Sequence, residues 1–204
     1  MARIAIVYYS ATGTIAAMAR ALAGGAEEEG AEVRLRRVRE TAPPEAIAQN
    51  DRWARHAAEG ESIPLAELED LEWAHGFAFG TPTRFGTPSA QLKQFIDTTG
   101  GLWAKDVLVD KVATSFTASS TCHGGLEATI LALNNTFYHW GTLVMPLGYG
   151  DPALRESGNP YGGSFVSRSK APADELALRA CAAQGRRLAR VAAAIANVQV
   201  GAHS

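Results

Sequence analysis

Three short segments carry most of the side chains able to do chemistry in this chain. The first is Ser10-Ala11-Thr12-Gly13-Thr14, with Ile15 behind it. It lies between an apolar run and a helix-like pattern. Hydroxyls and backbone N–H groups at a helix N-terminus form a donor set for a phosphate. The Gly-Lys-Ser/Thr ending of a P-loop is missing, and the segment is not a G-x-G-x-x-G fingerprint. It has no lysine, so neutral donors would hold the anion, which suits a monophosphate better than triphosphate chemistry. A capped helix with no ligand is the alternative for the same residues.

The second segment is Thr81-Pro82-Thr83-Arg84-Phe85-Gly86. It offers amide donors, one guanidinium and one ring, which suits a flat, electron-accepting heterocycle; a rigid turn with Phe85 in the core is the other reading. Trp103, after Gly100-Gly101-Leu102, is either a second stacking surface or a core or subunit-contact tryptophan.

The third segment, Ser119-Ser120-Thr121-Cys122-His123-Gly124-Gly125, contains the most reactive-looking pair. A cysteine before a helix can have a lowered pKa. However, the arginine of a Cys-x5-Arg phosphatase loop would fall at Ala128, and there is no C-x-x-C. Cys122 and His123 are therefore read as non-nucleophilic. His139 closes a helical pattern, where a cationic imidazole is favoured by the helix dipole. Response-regulator chemistry needs acidic residues after the first strand, and Tyr8-Tyr9-Ser10 supplies none. A flavodoxin-like FMN site remains.

The elements that position these segments alternate. Ile4 to Tyr9 is a continuous apolar run, as in a strand buried on both faces. Ile15 to Glu29 reads as a helix and Ala31 to Val38 as a strand, giving a βαβ unit. The polar, Pro-interrupted stretch 39–71 predicts one helix over Glu45 to Glu59 and a short one near Pro64 to Leu68. Strands are expected at Gly76 to Gly80, Lys111 to Thr117 and Thr142 to Leu147. Helices are expected at Ser89 to Thr98, Leu126 to Trp140 and Ala173 to Asn197, with Gly148 to Pro172 irregular. The expected fold is α/β: a five-stranded parallel sheet with helices on both faces, and ligands beyond the carboxyl ends of the strands.

At 204 residues the chain reads as one domain, with insertions near 39–71 and 148–172. Nineteen basic against 21 acidic residues, a net charge of −2, argue against a nucleic-acid binder. Two cysteines are too few for a disulfide framework or a structural zinc site, and no metal is expected. No apolar run approaches a membrane span. The first apolar run is too short for a signal peptide, so a cytoplasmic protein is expected.

Several motifs together resemble a known family. They are Val7-Tyr8-Tyr9-Ser10 with Gly13, Phe79-Gly80-Thr81-Pro82-Thr83-Arg84-Phe85-Gly86, and Thr99-Gly100-Gly101-Leu102-Trp103. His139 with Gly141, Pro146-Leu147-Gly148-Tyr149 and Pro160-Tyr161-Gly162 continue the series. The chain resembles the WrbA-type NAD(P)H:quinone oxidoreductases of the flavodoxin-like superfamily from Ile4 to about Leu188. The resemblance implies FMN as cofactor, NAD(P)H as reductant and a quinone as substrate. It implies that Ser10, Ala11, Thr12, Gly13, Thr14 and Ile15 hold the FMN phosphate. Thr83, Arg84 and Phe85 would border the isoalloxazine. Ser119, Ser120, Thr121, Cys122, His123 and Gly124 would cover its other side. It further implies a homotetramer, in which His139 reaches the flavin across a subunit boundary and Trp103 walls the substrate side. Thr12, Thr14 and the Thr121 to His123 stretch depart from the family's usual residues. A flavodoxin-type electron carrier and a non-catalytic FMN-binding interaction protein are the alternatives. The small net charge and the insertions argue against the carrier.

Overall fold

In the computed structural model, described for residues 1–168 and 171–201, six strands form one parallel sheet. The central strands are β1 (Arg3–Tyr8), β3 (Gly76–Pro82) and β4 (Val112–Ser119). They are buried almost throughout, as their continuous apolar runs require. β2 (Glu32–Arg37) flanks β1; with β5 (Leu143–Val144) the order is β2-β1-β3-β4-β5, and β6 (Gly163–Val166) also pairs with β4. Chain order reverses direction at β1, whose neighbours are β2 and β3, so a crevice opens beyond its carboxyl end.

Two apolar layers cover the sheet. On one face α1 (Thr14–Glu28) and α9 (Glu175–Gly201) pack side by side over Ile4, Ile6 and Phe116. They approach closely because both present glycine at the crossing. A Cβ on Gly185 would lie 2.0 Å from the Leu22 carbonyl oxygen, and one on Gly25 would lie 2.0 Å from that of Ala182. On the other face, α5 (Ala90–Asp97) and α7 (Leu126–His139) enclose an aromatic cluster. Phe77, Phe79, Phe137 and Trp140 meet there at ring-centroid separations of 5.6–6.0 Å, several of them edge-to-face.

The structure corrects several sequence expectations. The single helix over Glu45 to Glu59 is two, α2 (Pro44–Ala48) and α3 (Asp51–Gly60). Asn50 separates them, because its side chain caps α3 by accepting from the Arg52 and Trp53 N–H groups. The short helix near Pro64 to Leu68 is instead α4 (Leu68–Trp73), started by a capping box between Glu67 and Asp70. Leu65 pairs with Arg37 as an isolated bridge. Asp70 is 3% exposed; its two oxygens share the Nε–H of Arg36 in a bifurcated hydrogen bond, and Oδ1 accepts a further one from Arg34 Nη1. The other end of α4 is closed by Lys111, whose ammonium donates to the carbonyls of Leu71, Glu72 and Ala74. Gly100–Trp103 forms a short helix, α6, that the sequence pattern did not announce.

The largest correction is at the sheet edge. The expected fifth strand, Thr142 to Leu147, shrinks to β5 (Leu143–Val144), which pairs only with the start of β4. The supposedly irregular Gly148 to Pro172 contains α8 (Pro152–Ser157) and β6 (Gly163–Val166), and β6 pairs with the second half of β4. Positions 169 and 170 of that segment lie outside the described residues. The gap between β5 and β6 is bridged by a buried side-chain amide from α9. Gln184 Nε2 donates to the Thr114 hydroxyl and the Ser115 carbonyl, and its Oε1 accepts from Gly163 N–H. That satisfies backbone groups which an interrupted ladder would leave bare. Among the described residues, no helix is long and apolar enough to cross a membrane.

The helix crossing yields a paired prediction. Gly185→Ala forces a methyl into the Leu22 carbonyl and should cost about 1–3 kcal/mol. Gly24→Ala meets nothing within 4 Å and should stabilise by about 0.5–1 kcal/mol through helix propensity. Urea unfolding of both variants checks the contrast. Equal effects would show that close packing does not govern this crossing.

Candidate functional site

The carboxyl ends of β1, β3, β4 and β6 converge on a cavity of about 160 Å³. Ser10, Ala11, Thr12, Thr14 and Ile15 form one wall. Pro82, Thr83 and Arg84 form the second, and Ala118, Ser119 and Ser120 the third. Ser167, just past β6, and Arg52 of α3 complete it. Among the described residues, the lining contains two guanidiniums and no carboxylate.

The first loop turns sharply and gathers hydrogen-bond donors at the start of α1. Gly13 adopts a left-handed φ of 95° and donates its N–H to Ser10 Oγ at 3.2 Å. No side chain caps α1, so its first-turn N–H groups point toward the loop without a competing acceptor from a cap. Uncapped amides, the helix dipole and the Thr12 and Thr14 hydroxyls supply donors suited to a phosphate.

The second loop is a two-residue hairpin turn. Arg84 and Thr87 exchange backbone hydrogen bonds, with Phe85 (φ 54°) and Gly86 (φ 82°) at the tip. A bulky residue with positive φ is strained, and such strain gathers at functional sites. Phe85 is fully solvent-exposed, so the core alternative for this ring does not hold. Thr83 ties the turn to its neighbours: its hydroxyl accepts from Gly86 N–H and Thr129 Oγ1, and donates to the Gly124 carbonyl. A Cβ on Gly125 would lie 2.7 Å from Gly86 Cα, so the second and third loops touch backbone to backbone.

In the third loop Ser119 Oγ donates to the Thr121 carbonyl and curls the chain back. Thr121, Cys122 and His123 point into solvent and do not line the cavity. Cys122 sits before the first turn of α7 as a free, exposed thiol, and the other cysteine, Cys181, is buried in the core. Trp103 is 56% exposed, so the core alternative fails for it too. His139 ends α7, about 20 Å along that helix from the cavity. Neither Trp103 nor His139 lines the cavity within one chain.

Sequence reasoning missed the contribution of the 39–71 segment. Glu40 is its anchor. Its carboxylate accepts from Tyr9 Oη (2.8 Å), Trp53 Nε1 (3.0 Å) and Gln91 Nε2 (2.9 Å). It also accepts from the backbone N–H groups of Thr41 and Ala42. Burial alone pushes this carboxyl up, but the hydrogen bonds from Ala42, Gln91, Tyr9 and Trp53 outweigh it and hold the pKa below its ordinary value. On the same helix as Trp53, Arg52 faces the cavity. The signal in the sequence was the Asn50 cap before Asp51-Arg52-Trp53, which starts a helix at that point.

A model of proteins described as NADPH-dependent FMN reductase matches residues 3–150. An NAD(P)H dehydrogenase (quinone) of Deinococcus radiodurans is 43% identical over 169 residues, covering 82% of this chain and 84% of that protein. One from Sinorhizobium fredii is 42% identical over 205 residues, covering 97% of this chain and all of the relative. Among solved structures, a flavodoxin, WrbA-like protein from Agrobacterium tumefaciens superposes with a TM-score of 0.67 at 28% identity, covering 94% of this chain and 98% of its own. An archaeal flavodoxin, at 17% identity and TM-score 0.60, shares the fold over 93% of this chain and 98% of its own.

The Glu40 cluster predicts an acid-sensitive site. Its folded pKa lies below the ordinary 4.5. Its stabilising contribution is therefore complete above that value and is lost as pH falls through the folded pKa. Unfolding free energies measured from about pH 6 to pH 3 should fall more steeply for the wild type than for Glu40→Gln. Near neutral pH that substitution should cost about 1–3 kcal/mol. Parallel pH profiles would remove Glu40 as the anchor.

Proposed function

The chain belongs to the NADPH-dependent FMN reductase family, and on that premise we propose that it passes two electrons from NAD(P)H to a quinone by way of bound FMN. The observation that carries this reading is the donor set of the cavity: uncapped helix amides, seven hydroxyl side chains and two guanidiniums, with no carboxylate among the described lining residues. A phosphate monoester fits it. Ser10 to Ile15 hold the phosphate, with Gly13 supplying the left-handed turn that aims the N–H groups. Thr83, Arg84 and Phe85 border the isoalloxazine, and Ser119 to Gly124 flank its other side. Bound FMN supplies the two-electron chemistry, in which NAD(P)H, a proton and a quinone become NAD(P)⁺ and a hydroquinone. The protein's task is to bind, orient and restrict access, and no acid–base dyad is needed.

We read the chain as a single domain, supported by the Tyr9–Glu40 hydrogen bond and the Arg37–Leu65 bridge for the first insertion and by the pairing of β6 with β4 for the second. It acts in the cytoplasm as a homotetramer, in which Trp103 and His139 complete a neighbour's site on the substrate and flavin sides. Trp103, Val109, Tyr138 and Leu143, all more than 40% exposed, support a subunit contact at the end of the sheet away from the cavity. The names of the relatives favour an enzyme over an electron carrier or a non-catalytic binder.

The purified chain should bind one FMN per chain, more tightly than FAD, and oxidise NADH or NADPH when benzoquinone is supplied. Flavin-fluorescence titration and steady-state kinetics check this, and failure to bind FMN refutes the reading. Light scattering of the FMN-loaded protein should return four times the chain mass. Cys122→Ser should keep quinone reduction within about tenfold, or 1.4 kcal/mol in the barrier. Loss of turnover with FMN still bound would require a thiol chemistry instead.

A further inference from the structure

Among the described residues the cavity contains two guanidiniums, and their settings differ. Arg84 is exposed on the hairpin turn, and its Nη1 donates to the Thr83 carbonyl beside the second loop. Arg52 is half-buried and comes from α3, an element of the 39–71 insertion outside all three loops. An N-cap sets the start of α3, and two contacts fix the helix against the first loop. Asn50 Oδ1 accepts from the N–H groups of Arg52 and Trp53, both at 3.2 Å, which sets the start of the helix. Trp53 Nε1 reaches Glu40, which is itself bonded to Tyr9, the residue before Ser10. One turn further on, the His56 ring packs beneath Gly13, with Nδ1 3.5 Å from where a Cβ on Gly13 would be. The helix is thus clamped to the same loop whose N–H groups and hydroxyls supply donors suited to a phosphate. It places a fixed positive charge on the cavity wall shared with Ser10, Thr12 and Thr14.

We propose that Arg52 is the charged ligand of the FMN phosphate, delivered by the insertion rather than by the strand-end loops, with Trp53 and Glu40 as its positioning residues. This rests on the FMN reading of the cavity. A phosphate monoester near neutral pH carries between one and two negative charges. A guanidinium can meet two of its oxygens at once, which neutral hydroxyls cannot match in charge. The first loop supplies direction and turn geometry; α3 supplies the charge. Arg84, on the opposite loop, is left to the ring side of the cofactor.

The test compares FMN with riboflavin, which lacks the phosphate, on full-length apoprotein by flavin-fluorescence quenching. Arg52→Gln should weaken FMN binding about 10- to 100-fold while leaving riboflavin binding within about twofold. Arg52→Lys, which keeps the charge but loses the fork, should recover part of the loss. Raising the salt concentration should reduce FMN affinity more steeply for the wild type than for Arg52→Gln. Trp53→Phe, which removes only the donor to Glu40 and leaves an apolar ring, should lower the FMN-to-riboflavin preference in the same direction but by less. A merely structural role for Arg52 would weaken both flavins alike. That outcome, or an unchanged preference in Arg52→Gln, overturns the proposal. A Trp53→Phe preference equal to the wild type's overturns the positioning role. If the wild-type chain binds neither flavin, the FMN reading itself fails and the proposal falls with it. Wild-type binding with an indifferent Arg52→Gln sinks the proposal alone.

Discussion

The Glu40 carboxylate takes hydrogen bonds from a strand, a loop and two helices at once. Tyr9 reaches it from the junction of β1 with the first loop, Trp53 from α3 and Gln91 from α5. A carboxylate with every lone pair engaged is stable where it sits, but removing any partner leaves polar groups unsatisfied in a half-buried setting. These elements therefore hold one another. The insertion is tied to the first loop, and the first loop to the helix that follows the hairpin turn. The shape of the cavity depends on this closure, because α3 has no buried residue of its own to hold it down.

A second constraint is the closeness of backbones, set by small residues. α1 and α9 cross at glycine, and the second and third loops touch at Gly86 and Gly125. Both contacts exclude side chains where a methyl would collide with backbone rather than with a movable group. The first packs the helix layer on the back of the sheet, and the second holds the second and third loops together. Both use the same economy of volume, one for stability and the other for geometry.

How much of this the sequence disclosed follows the range of the interactions involved. β1, β3 and β4 were legible because a strand buried on both faces is written locally, as an unbroken apolar run. The three strand-end loops were legible for the same reason, since their glycines, prolines and hydroxyls lie next to those runs. The 39–71 stretch was not. Its helices are held by Glu40, Tyr9 and Gln91, and α4 by Arg36 and Lys111, partners that no local window contains. The division of the expected fifth strand was hidden likewise, because the amide that makes the gap tolerable belongs to Gln184, far along the chain. Phe85 shows the converse. Its residue type suggested either a ring stacked on a cofactor or a core position, and only the positive φ of the turn decides that it stands outside the core.

The two edges of the sheet differ from its centre in a way that bears on solubility. An open parallel sheet exposes unpaired N–H and C=O groups along its outer strands, and such rows recruit other chains into aggregates. Here one edge is cut into pieces: β5 has two residues, β6 has four, and a side-chain amide sits between them. The other edge, β2, carries Glu32, Arg34, Arg36 and Arg37 along its length. Neither edge offers a long, flat, uncharged template. The sheet is thereby protected from growing into a fibril-like ladder.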